Sequence, residues 1–118
     1  MNRSERGAQS HAAGIAAEET AARWYQNQGA AILARRWRCK EGEIDLIIRD
    51  GDTVVFVEVK KRKAAISEDP ITPRQWQRLE NAAEMYILIA ETGNAPLRFD
   101  VVIIDAKGAV EVIKNARS

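Results

Sequence analysis

The period of hydrophobic and polar positions changes several times along the chain, and each change marks an element. From His11 to Gln28 alanines and larger apolar residues recur at helical spacing. Ile15, Ala22 and Tyr25 define a stripe there, and Gly29 supplies the stop. Ala30 to Ala34 is a short apolar run that reads as a first strand. Gly42 to Lys60 holds two β-rich runs separated by Asp50-Gly51, a strong hairpin signal. Thr72-Pro73-Arg74-Gln75 opens a second helix, with Thr72 as N-cap, Pro73 first in the helix and Gln75 closing a capping box. That helix carries Trp76, Leu79, Ala83, Tyr86, Ile87 and Ala90 on one side and ends near Thr92-Gly93. Leu97 to Ile104 reads as a core strand interrupted by Arg98 and Asp100, and Ala109 to Ile113 as a last short strand. Ala64 to Ile71, with Ser67-Glu68-Asp69-Pro70, reads as a loop. Helix, three strands, helix, two strands predicts an α/β fold, a mixed sheet of about five strands flanked by helices. One domain is expected over residues 11–114, between a polar flexible tail at 1–10 and a short tail at 115–118.

Composition narrows this picture. Hydrophobic residues at 46% and charged residues at 30% are the balance of a soluble globular domain. A net charge of +1 means that any nucleic-acid surface must come from a local cluster. The single cysteine, Cys39, excludes an internal disulfide, fits a reducing compartment and reads as a small core or edge residue. The single histidine, His11, argues against a histidine-rich metal site. No apolar run is long enough to span a membrane, so a cytoplasmic protein with no membrane partner is expected.

The candidate chemistry sits in the hairpin. With Asp50-Gly51 as the loop, Arg49 pairs with Asp52, Asp45 lies opposite Phe56, and Glu58 is the diagonal neighbour of Asp45 on one face. Lys60, two residues on, points the same way. Val54 to Val59 is otherwise apolar on both faces, so a charge placed there needs a partner or a metal. Oxygen ligands of this type suit Mg²⁺ or Mn²⁺. The plainer reading has both acids as strand-end charges with Lys60 as their salt-bridge partner.

Other charged positions carry the same two-sided reading. Glu18 falls inside the stripe of the first helix, as a further acid or as a boundary carboxylate paired to an arginine. Gly14, one turn earlier, would admit close approach of a backbone or ligand. Arg35, Arg36, Trp37, Arg38 and Lys40 suit a phosphate backbone with an aromatic face, or an edge strand whose arginines snorkel while Trp37 packs inward. Lys61, Arg62 and Lys63 continue the basic run beside the carboxylates. Arg74 and Arg78 either hold a phosphate at the start of the second helix or form its solvated face, Arg78 more than Arg74.

A helix glutamate, then Gly42-Glu43-Ile44-Asp45-Leu46-Ile47, then Phe56-Val57-Glu58-Val59-Lys60, resembles the core of the PD-(D/E)XK nuclease superfamily. Within it the chain is similar to bacterial YraN-type proteins, themselves similar to archaeal Holliday-junction resolvases. The likeness spans nearly the whole chain, including Gly14 with Glu18, Arg62, the Thr72 helix, and Arg98-Phe99-Asp100-Val101-Val102. It implies a restriction-endonuclease-like core and a Mg²⁺- or Mn²⁺-dependent endonuclease. By matching position, Asp45 and Glu58 would ligate the metal, with the Val59 carbonyl as a further ligand. Lys60 would orient the attacking water, and Glu18 would complete the acidic cluster. DNA contacts would fall to Arg35, Arg36, Trp37, Arg38, Lys61, Arg62, Lys63 and Arg74. Branched or structured DNA is the implied substrate, and two cuts across a junction call for a homodimer. Arg36 stands where an asparagine is common, and Arg74 where a lysine is common. The competing expectation is a nucleic-acid-binding or scaffold protein that keeps the fold with little or no catalysis.

Overall fold

The computed structural model describes residues 3–62 and 71–117, with side chains from residue 14 onward in the first helix. Its elements are α1 (Arg3–Asn27), β1 (Ala31–Cys39), β2 (Gly42–Asp50), β3 (Thr53–Arg62), α2 (Pro73–Ala90), β4 (Leu97–Asp105) and β5 (Val110–Ile113). The five strands form one sheet in chain order. All neighbours are antiparallel except β3 and β4, which are parallel and joined through α2. This is the mixed five-strand sheet with helices that the sequence predicts, consistent with a restriction-endonuclease-like core.

One helix covers each face. Beneath α1, Ala17, Ala21, Ala22 and Tyr25 pack on Leu46, Ile48, Val55, Val57, Val102 and Ile104. Beneath α2, Trp76, Leu79, Ala82 and Ala83 pack on Ile44, Ile47, Phe56, Val101 and Ile103. Strand β3 supplies both faces in strict alternation, which is why its run of valines has no polar side. Each fully buried valine or isoleucine contributes roughly 1.5–3 kcal/mol relative to exposure.

Helix α2 begins as expected. The Thr72 hydroxyl accepts from the Gln75 N–H at 3.2 Å, and the Gln75 side chain accepts from the Thr72 N–H at 2.9 Å. Glu91, in the left-handed region at φ 52°, ends it. Helix α1 differs from expectation, starting at Arg3 instead of His11. Residues 3–10 are mostly polar and carry no apolar stripe from which a helix could be read. The stripe also shifts: Ala17 and Ala21 are buried while Ile15 is 39% exposed. Small alanines let the helix lie close to the sheet, where isoleucine would hold it off. Gly14 faces open space, with no atom within 4 Å of an added Cβ.

The hairpin register also differs. Asp50 pairs with Thr53, so the two-residue loop is Gly51-Asp52, not Asp50-Gly51. Gly51 alone takes a positive φ, 61°, as a glycine-first type II′ turn requires. The register therefore moves by two residues. Phe56 pairs with Ile47, so Asp45 does not lie opposite it. Lys63 and the Ser67–Pro70 turn lie outside the described residues, while Ile71 is buried under α2.

Candidate acidic site at the end of the central hairpin

The alternation of β2 breaks at Asp45. Ile44 and Ile47 both face α2, whereas Leu46 and Ile48 face α1. Three-residue spacing on one face means one residue more than a regular strand holds. On the other side of Asp45, β1 is irregular as well, with Arg36 at a left-handed φ of 48°. The regular β2–β3 pairing stops at Leu46–Val57. Beyond it, the Val59 N–H donates to Asp45 Oδ2 at 2.8 Å, so a side chain replaces a backbone acceptor. The break brings Asp45 to the point where both helix-covered faces meet.

Four charged side chains gather there. Glu58, 19% exposed, comes from β3, and its carboxyl lies within hydrogen-bond reach of Asp45. Lys60 Nζ stands 3.5 Å from Glu58 Oε1. Glu18 of α1, 17% exposed, reaches toward Asp45 from the other face and lies 3.4 Å from Arg36 Nε. Burial and the neighbouring Asp45 charge push the Glu58 carboxyl up to about 8, against the pull of Lys60. Burial also raises Asp45, opposed by the Val59 N–H. Glu18 is raised by burial and by Asp45, with Arg36 holding it back. Two carboxylates this close and this dry cannot both ionise cheaply without a cation between them.

The cleft over Glu58 is lined by Gly42, Glu43, Gln75, Arg78 and Leu79. The structure thus brings Glu18, Asp45, Glu58 and Lys60 to one end of β3, with the Val59 backbone between them. The flanking basic residues are mostly engaged. Arg35 pairs with Glu19, Arg36 with Glu18 and Glu43, Arg38 with Glu43, and Arg62 with Glu111. Trp37 packs edge-on against Tyr86 on the α2 face, so the inward-packing reading describes its ring. Cys39 is free and half-buried at the same cluster, the small edge residue expected. Lys61 and Arg74 are exposed. Both α2 arginines are exposed, and Arg78 also lines the cleft while Arg74 does not. Helical geometry explains this, since Arg78 precedes the buried Leu79 and follows Trp76 by two, at the edge of the packed stripe. Among the described residues, no three His, Cys, Asp or Glu side chains are arranged to enclose a metal on their own. No helix among them is long and apolar enough to cross a membrane.

A second buried acid was visible in the sequence only as a break in a strand. Asp100, 1% exposed, accepts from the Tyr25 hydroxyl at 2.7 Å, from Arg98 Nε at 2.9 Å and Nη2 at 3.2 Å, and from the Asn115 N–H at 3.0 Å. Arg98 also reaches Asp50 at 3.1 Å. Tyr25 lies on another element, 75 residues away, and local pattern carries no sign of that partnership.

The family model described as "Uncharacterised protein family UPF0102" matches residues 17–104, which contain every acid of the site. A UPF0102 protein of Ruegeria pomeroyi is 44% identical over 113 residues, spanning 94% of this chain and 92% of its own. One from Cereibacter sphaeroides is 44% identical over 109 residues, covering 91% of this chain and 93% of that protein. One from Neisseria gonorrhoeae is 40% identical over 111 residues, covering 89% and 94%. Matches of this extent and identity leave one conclusion: the chain belongs to the UPF0102 family.

Proposed function

We propose that this chain is a metal-dependent endonuclease hydrolysing phosphodiester bonds in DNA, with branched or structured DNA as its substrate, acting in the cytoplasm as a homodimer. The observation that carries the reading is the Asp45–Glu58 pair: two half-buried carboxyls in mutual reach, one pushed up to about 8, with an ammonium 3.5 Å away. Such a pair fits a hard divalent cation. Mg²⁺ often takes only one or two carboxylates, keeps waters and completes its shell with phosphate oxygens, so a three-acid cage is not required. Asp45 and Glu58 would hold the ion, with the Val59 carbonyl as a further ligand. When bound, it would acidify a water and offset charge on the phosphate. Lys60 orients the attacking water from the Glu58 side and stabilises negative charge on the phosphate. Glu18, restrained by Arg36, completes the acidic surround.

DNA contacts are assigned to Arg35, Arg36, Arg38, Lys61, Arg62, Lys63 and Arg74, with Trp37 bracing that edge. Several of these arginines would exchange a glutamate for a phosphate on binding, which makes the interaction steeply salt-dependent.

A second reading rests on the lack of a three-acid group among the described residues: a nucleic-acid-binding scaffold with this fold and little hydrolysis. Labelled four-way, flapped and duplex DNAs, incubated with Mg²⁺ or Mn²⁺ or with chelator, separate the two. Cutting that needs metal and is lost in Asp45→Asn and Lys60→Ala supports the nuclease. Binding that survives chelation, with no substrate cut, supports the scaffold.

A further inference from the structure

Cations at this end of the molecule divide into two groups. Arg35, Arg36, Arg38, Lys60 and Arg62 each lie within ion-pair distance of a glutamate. Arg78 does not: among the described residues no carboxylate comes within ion-pair reach of it, yet it lines the cleft whose wall carries Glu58. It is the one cation among that cleft's lining residues, whose other charges, Glu43 and Glu58, are acidic. An exposed guanidinium with no ion-pair partner among the described residues, lining a cleft of about 220 Å³ together with two acids, is an arrangement for a third component. That volume is several times the ~30 Å³ share of one liquid water, enough for a phosphate group with its hydration.

The backbone beneath Arg78 is fixed. Trp76 and Leu79 on either side of it are buried at 3% and 6% exposure. Gly42 at the start of β2 lies against this turn, where an added Cβ would stand 3.7 Å from the Arg78 carbonyl oxygen. A planar fork on a fixed helix turn suits bidentate contact with phosphate oxygens, whereas a lysine there would act as a point charge.

We infer that Arg78 grips a backbone phosphate of the substrate strand beside the Asp45–Glu58 pair, an assignment that rests on the nucleic-acid reading above. The acids alone repel a phosphodiester, and Arg78 supplies the attraction on the α2 side of the cleft. It is a substrate-binding residue; the hydrolytic step belongs to the acids and Lys60.

The test uses the full chain and a fluorescein-labelled four-way DNA junction, with affinity read by anisotropy across a salt series in chelator. Arg78→Gln is expected to weaken binding several-fold and to lower the log–log salt slope by about one, the signature of one lost phosphate contact. Arg78→Lys should keep the slope, and Arg49→Gln, near the hairpin loop at the far end of β2, should leave affinity and slope unchanged. Circular dichroism melts confirm that each variant folds. The lost slope supports the clamp even if no DNA is ever cut, in which case the catalytic reading alone falls. An Arg78→Gln slope equal to wild type overturns the clamp even if the protein proves to be an active nuclease. No junction binding by wild type overturns both.

Discussion

Two acidic centres in this small protein meet burial in opposite ways. Asp100 is the more deeply buried, yet donors from Tyr25, Arg98 and Asn115 fill its oxygens, and Arg98 is tied in turn to Asp50. Asp45 and Glu58 are less buried but poorly served. One backbone N–H and one ammonium stand against two carboxyls that repel each other. The Arg98 guanidinium, held by Asp100 and Asp50, is driven to an even higher pKa. The Glu58 carboxyl is driven toward its neutral form. The acid whose hydrogen-bonding needs are met is tied into the fold, whereas the pair left short is where we place the proposed cation.

The contrast can be broken first at Asp100. Asp100→Ala leaves Arg98 and the Tyr25 hydroxyl facing an emptied site. It should cost about 3–5 kcal/mol in urea-unfolding stability, the usual loss on removing one partner of a buried pair. Asp45→Asn and Glu58→Gln should fold, because each removes repulsion.

Metal sharpens the comparison next. With Mn²⁺ at a hundred times its dissociation constant, wild type should gain about 2.7 kcal/mol of stability, read as a raised melting temperature. The gain should vanish in Asp45→Asn and persist in Tyr25→Phe. An unchanged shift in Asp45→Asn would remove that residue from the ligand set.

The pH profile tests the Asp45–Glu58 centre. Because the folded Glu58 pKa, about 8, lies above the unfolded value near 4.5, the folded state holds the proton more tightly between them. Metal-free stability is therefore greatest below pH 4.5 as far as Glu58 is concerned. It falls as pH rises through the window to about 8 and levels off above. Glu58→Gln should flatten this decline, and at pH 8 should be more stable than wild type. The smallest effect is expected of Tyr25→Phe, about 1.5 kcal/mol for one hydrogen bond to a charged acceptor.

These differences also show what the chain discloses before it folds. The α2 start was legible because Thr72, Pro73 and Gln75 act within one turn. The meeting of Asp45 with Glu58 was legible too, by way of an incorrect register. A slip of two residues preserves which face a side chain takes, so placing the loop one residue early did not separate them. The break at Asp45 was hidden, since Ile44 and Leu46 look like regular alternation until tertiary packing puts them on opposite faces. Arg98 and Asp100 stood out as interruptions, but their partner Tyr25 comes from α1. The cleft beside Arg78 is not legible in the sequence, because only the approach of β2 to the helix turns that edge position into a cleft wall.

The most direct measurement is calorimetric titration of Mn²⁺ at pH 7 in buffers of different ionisation enthalpy, which counts protons released on binding. With Glu58 at about 8, a cation entering between the acids must displace a proton, so release close to one proton per ion is predicted. It should decline above pH 8 and be absent in Glu58→Gln. Failure of Mn²⁺ to bind, or binding without proton release that Glu58→Gln leaves unchanged, would contradict a cation site at this acid pair.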